Sequence, residues 1–117
     1  MLSLHLPLTP ETTGIIDAAA LAAMKRGSAL INTARGPLVD DAALRAALAS
    51  GHLRGAGLDV FSREPVAADD PLLRLPNIVV APHLAWLTVE TPERSLAVIA
   101  ENCCRLSAGE PLLHQVV

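Results

Sequence analysis

The chain has 117 residues, of which 51% are hydrophobic, 18% charged and only 2% aromatic, with a formal net charge of −3. That length is at most one domain, and the apolar share calls for a packed core rather than disorder. A mildly acidic chain with pI near 5.7 and almost no stacking rings excludes a basic, aromatic nucleic-acid surface.

No apolar run approaches the roughly 20 residues that span a bilayer. The opening MLSLHLPLTP has neither the basic region nor the small-residue cleavage site of a signal peptide. The two cysteines, Cys103 and Cys104, are adjacent. Neighbours on a helix point about 100° apart, which suits neither a disulfide nor a pair of metal ligands. A cytoplasmic location with reduced thiols is expected, with no bound metal, no nucleic acid and no membrane as partner.

Short apolar runs alternate with alanine-rich stretches. LSLHL (2–6) reads as a strand and PLTPETTG (7–14) as a loop. Asp17 is placed to cap a helix running to about Arg26, with Gly27 beyond its end. SALINTA (28–34) reads as a second strand. Asp40 then caps another helix, with Val39 and Leu44 spaced for a hydrophobic staple and Gly51 at its stop. GAGLDVF (55–61) is a third strand, SREPVAADDPLLRLP (62–76) a loop with one helical turn, and NIVVAP (77–82) a fourth strand. A last helix starts at Thr88, or at Thr91 with Pro92 in its first turn, and runs to about Ala108. Leu96, Ile99, Ala100, Cys103 and Leu106 follow helical spacing on one apolar face. Glu101 and Arg105 make an i, i+4 pair.

Strands alternating with helices of this length imply an α/β fold around a parallel sheet. The strands are nearly continuous apolar runs, the pattern of a sheet covered on both faces. In open parallel sheets, ligands bind beyond the carboxyl ends of the strands. At those ends the sequence places Asn32, Thr33 and Arg35 after strand two, Asp59 and Glu64 at and after strand three, and His83 with Trp86 after strand four. His5 lies on strand one, which runs into Pro7 and Thr9.

An arginine presents a planar fork that grips a carboxylate at two points, which lysine cannot copy. An imidazole beside a carboxylate has its cationic form favoured and serves as a proton donor. Arginine, histidine and glutamate on one rim therefore suit work on a 2-oxo or 2-hydroxy acid. Among the remaining histidines, His52 beside Gly51 reads as a surface cation at a helix C-terminus, and His114 has no assigned role.

At these residues the sequence resembles the NAD-dependent D-2-hydroxyacid dehydrogenases, the family of glycerate, hydroxypyruvate and phosphoglycerate dehydrogenases. LHLPLTPETTGII, GSALINTARGPLVDDAAL, GAGLDVFSREP and NIVVAPHLAW match segments of that family, in order and at normal spacing. The resemblance runs from the first residue to about residue 110. It implies the C-terminal half of a Rossmann-type, doubly wound NAD-binding domain followed by a long C-terminal helix.

The resemblance also implies roles. Arg35 would bind the substrate carboxylate and polarise the carbonyl. Glu64 would hydrogen-bond the catalytic His83, the general acid in reduction and the base in reverse. Asp59 would hold the nicotinamide carboxamide. Leu6, Pro7, Thr33, Ala34 and Ala85, with Arg35 and His83, would line the cofactor, NAD or NADP. The partner is then a small 2-oxo or 2-hydroxy acid of the glyoxylate or hydroxypyruvate type. Ala85 and Trp86 after the histidine are shared by the reductase branch and by corepressors of the same fold. A nucleotide-sensing, corepressor-like binding module is the alternative.

One departure stands out. The family's phosphate-binding G-x-G-x-x-G, and the acidic residue that follows it to hold the adenine ribose, have no counterpart in these residues. The resemblance places residue 1 at about the fifth strand of the cofactor domain. Residues 1–87 are expected to be the C-terminal half of the dinucleotide-binding domain. Residues 88–117 are expected to form a helix and tail that lead back to a substrate domain. On that reading the chain is a fragment, inactive alone, that forms a homodimer or associates with the missing half through its uncovered strand edge and apolar faces.

Overall fold

The computed structural model describes residues 1–116. Its elements are β1 (Leu2–Leu4), α1 (Ala18–Ala23), β2 (Ser28–Asn32), α2 (Asp41–Ala49), β3 (Leu53–Leu58), β4 (Ile78–Val80) and α3 (Glu90–Ala108), with short 3-10 turns at Gly36–Leu38 and Pro71–Arg74. The four strands form one sheet in the order β1-β2-β3-β4, and every neighbouring pair is parallel. This is the α/β architecture and the C-terminal helix expected from the sequence.

The helices start where the sequence signals them. Asp17 accepts the Ala20 N–H, and Asp40 accepts those of Ala42 and Ala43. Each cap satisfies donors that the first helical turn leaves without partners. Helix α1 ends at Ala23, three residues before the expected Arg26, because Met24 already has an extended backbone. His52 turns back to α1 rather than standing on the surface after α2. It is half-buried, and its Nε2 donates to the Leu21 carbonyl of α1 at 3.0 Å.

Parallel register puts Leu2, Leu30, Ala56 and Ile78 in one row across the sheet and Leu4, Asn32, Leu58 and Val80 in another. These two rows share a face. Leu4, Leu30, Ala56 and Leu58 from it join Leu21, Leu38, Val39, Leu44, Leu48, Leu53 and Leu72 in the core, with α1 packed on α2 and α2 on β3. The row between them, Ser3, Ile31, Gly57 and Val79, lies on the opposite face. There Ala29, Ile31, Gly55, Gly57 and Val79 line an open groove of about 490 Å³. The expectation of a sheet covered on both faces therefore holds for one face only.

The chain divides into two compact units, Met1–Leu84 and the residues from Ala85 onward. The second unit is built on α3. Helix α3 begins at Glu90, between the two expected starts, while the Thr88 hydroxyl accepts the Thr91 N–H. It ends at Ala108, where Gly109 takes the left-handed conformation (φ +68°) that costs glycine least. Arg105 bonds Glu101 at 2.7 Å, and the Asn102 side chain brackets the backbone of Leu113. No residue of α3 is buried, so its apolar face, including Leu96, Ile99 and Leu106, is exposed. Cys103 and Cys104 are both free thiols. Among the described residues no helix is long and apolar enough to cross a membrane.

Candidate active site

Strand β2 stops at Asn32 rather than at Ala34, and the side chain of Asn32 is the cause. It is 1% exposed. Its Oδ1 accepts the Ala34 N–H at 3.0 Å and its Nδ2 donates to the Arg35 carbonyl at 2.9 Å. A short polar side chain thus replaces the strand ladder with a local turn. The turn leaves Arg35 exposed at the tip, with its Nη1 donating to the Ala34 carbonyl at 2.6 Å.

Gly36 follows. A Cβ there would stand 1.9 Å from the Phe61 carbonyl carbon and 2.4 Å from the Ser62 nitrogen. The loop after β2 therefore lies directly on the backbone of the loop after β3, and only glycine permits that approach.

The second loop leads on to the histidine. Phe61 N–H donates to Glu64 Oε1 at 2.9 Å, and Glu64 Oε2 lies 2.8 Å from His83 Nδ1. These two bonds hold the Glu64 carboxyl below its ordinary value of 4.5, the His83 bond foremost and the Phe61 N–H second. The attraction of His83 adds to this, while burial and the nearby Asp59 carboxylate oppose it. An ionised carboxylate has no proton to give, so the hydrogen of the pair sits on His83 Nδ1.

His83 itself has φ +58°, a left-handed backbone uncommon for a residue with a Cβ. Beneath it, Asp59 is 5% exposed, and its Oδ1 accepts the N–H of Leu84 at 2.7 Å.

Most of the candidate residues line one of two concave surfaces. Leu6, Pro7, Thr33, Ala34 and Arg35, with His5 and Leu8, line a groove of about 450 Å³ beyond the ends of β1 and β2. Glu64 and His83, with Phe61, Pro65, Val66 and Pro82, line one of about 360 Å³ beyond β3 and β4. Strand β1 ends at Leu4 rather than at Leu6, so His5 to Leu8 belong to the first groove instead of the ladder. Ala85 and Trp86 lie in the second unit. Among the described residues no group of His, Cys, Asp and Glu side chains is arranged to hold a metal.

Sequence reasoning passed over two features: the work of the Asn32 side chain and the contact at Gly36. An asparagine two and three residues before the groups it bonds is the spacing of a side-chain turn, and that signal was available. The approach at Gly36 joins residues 25 apart in the chain and left none.

A parallel α/β sheet with polar and charged side chains beyond the carboxyl ends of its strands is the arrangement in which such domains place their ligands. The family model for the NAD binding domain of D-isomer specific 2-hydroxyacid dehydrogenases matches residues 1–85. The chain belongs to that family. It is 50% identical over 108 residues to a glyoxylate reductase of Korarchaeum cryptofilum, covering 92% of this chain and 32% of the relative. It is also 50% identical over 109 residues to a D-3-phosphoglycerate dehydrogenase of Mycobacterium bovis, covering 93% and 20%.

Among solved structures, a D-isomer specific 2-hydroxyacid dehydrogenase from Xanthobacter autotrophicus Py2 in complex with NADPH and MES shares 49% identity and a TM-score of 0.85, covering 99% of this chain and 48% of that one. The TT0316 protein from Thermus thermophilus superposes with a TM-score of 0.91 at 48% identity, covering 99% and 37%. The chain thus spans 32% and 20% of the length of the two curated relatives.

Proposed function

We propose that this chain serves NAD(P)-dependent interconversion of small 2-oxo and 2-hydroxy acids of the glyoxylate or hydroxypyruvate type. The observation that carries this reading is the 2.8 Å bond between His83 and Glu64 at the carboxyl edge of the sheet. Arg35 grips the carboxylate of the acid through its planar fork. Glu64 fixes the ring so that Nδ1 faces its carboxylate, and Nε2 gives a proton to the carbonyl oxygen in reduction or takes it in oxidation. The reductase and dehydrogenase names of the relatives support an enzyme over a sensing module.

The groove beyond β1 and β2 is the place we assign to the nicotinamide part of the cofactor. Apolar Leu6, Pro7 and Ala34 suit a ring face, and Thr33 and Arg35 suit its polar groups. Asp59 holds the nicotinamide carboxamide in the same reading. When bound, the nicotinamide supplies the hydride. In this proposal residues 1–87 bind cofactor and perform catalysis, while 88–117 lead towards a substrate domain. Self-association through uncovered apolar surface belongs to the same reading.

None of these 117 residues forms a G-x-G-x-x-G loop, so the chain alone binds NADH weakly and turns over negligibly. Titration calorimetry with NADH tests this, and tight binding would refute it. Where the same residues are joined to a phosphate loop and substrate domain, His83→Ala lowers kcat for glyoxylate reduction by at least about 10²-fold. An unchanged kcat removes His83 from its role.

A further inference from the structure

Asn32 and Asp59 are the only buried polar side chains among the described residues. They are also neighbours: the Asp59 N–H donates to the Asn32 carbonyl at 2.9 Å, one step past the last rung of the β2–β3 ladder. Burying two such groups is costly unless their hydrogen bonds are met, and each meets them with the backbone of a loop that bears a candidate catalytic residue. Asn32 takes both the Ala34 N–H and the Arg35 carbonyl. Asp59 takes the Leu84 N–H, the peptide that follows His83.

The bond at Leu84 also explains the backbone of His83. A residue with a Cβ at φ +58° holds an unfavourable conformation and persists only where its surroundings fix it. A buried side-chain oxygen accepting the next amide at 2.7 Å is such a restraint, because a hydrogen bond shielded from water is costly to leave unmade.

We propose that Asn32 and Asp59 form a buried brace that positions Arg35 and His83 relative to one another, Asn32 acting through the turn at residues 32–35 and Asp59 through the peptide after His83. Both are positioning residues in this role. It rests on the proposed function for its purpose and adds to it a second duty for Asp59, beyond the cofactor contact. The Asp59 charge is not what the brace requires: an acceptor oxygen in the same place suffices for Leu84.

That distinction supplies the test. In the 117-residue chain, Asp59→Asn and Asp59→Ala both remove the charge, but only Asp59→Asn keeps an oxygen where Leu84 N–H points. NMR reads two signals: hydrogen exchange at the Leu84 amide, and the downfield resonance of the proton shared by His83 Nδ1 and Glu64. The expected result is Leu84 exchange about tenfold faster in Asp59→Ala with loss of the shared-proton signal. Asp59→Asn retains both. Asn32→Asp, which keeps Oδ1 and loses the Nδ2 donor, frees the Arg35 turn and weakens the shared-proton signal on the far side of the brace.

The thermal midpoint of each variant separates a general loss of fold from local release. Equal Leu84 exchange in Asp59→Ala and Asp59→Asn, or an unaltered His83 signal in both Asp59→Ala and Asn32→Asp, overturns the proposal. These readouts need no turnover. Failure of the brace thus remains distinct from failure of the enzymatic reading, which His83→Ala decides.

Discussion

The two faces of the sheet are made from the same strands and differ sharply in what lies on them. On one, Leu4, Leu30, Ala56 and Leu58 are buried in the core. On the other, Ile31 and Val79 stand among Ala29, Gly55 and Gly57 along an open groove, and Val79 is 74% exposed. The covered face carries mostly leucines, and the open one small residues, Ser3, Ala29, Gly55 and Gly57, beside Ile31 and Val79. The covered face gains from the leucines of α1 and α2, whereas the open one keeps its apolar atoms in water.

Three substitutions or conditions sharpen that contrast. The largest effect is expected at Leu30, which is 0% exposed: Leu30→Ala costs about 2–5 kcal/mol by transfer and cavity formation, read as a drop in urea midpoint. Val79→Lys on the open face changes stability by no more than about 0.5 kcal/mol. Under the proposed self-association it also shifts the chain towards monomer in size-exclusion chromatography, since a lysine blunts an exposed edge strand. A loss at Val79 as large as that at Leu30 would mean the open face is covered in solution.

The smallest effect concerns the rim. Glu64 has its carboxyl lowered from 4.5 by His83 and by the Phe61 N–H, so its contribution is complete above that value and disappears as pH falls through the lowered one. Because the pair is exposed, solvent screens it. An acid titration followed by NMR should release the Phe61 amide and His83 ring with little change in global stability. Retention of both signals after Glu64 has titrated would show that the carboxylate does not hold this loop.

All four strands were legible as apolar runs, and Asp17 and Asp40 were legible as caps because a cap is a local event. Strand ends were less so. Strands β1, β2 and β4 stop two residues early, at Leu4, Asn32 and Val80. At Asn32 the cause is a side chain competing with the ladder; at the other two, prolines, which lack an N–H, follow shortly. Strand β3 begins two residues early, at Leu53, where the register with β2 shifts between Ser28 and Ala29, and stops three early, at Leu58. Arg35, Glu64 and His83 could be picked out by type and by their place after strands. Their support could not, since the partners of Asn32 and Asp59 are main-chain groups that every sequence contains.

The contact at Gly36 restricts how the rim of this fold can diversify. With no room for even a methyl group between Gly36 and the Phe61–Ser62 backbone, the Arg35 turn and the Glu64 loop must shift together. An insertion in either would have to be matched in the other. New specificity is therefore easier to evolve in the largely exposed stretch from Arg63 to Asp69, outside Glu64, than at the seam itself.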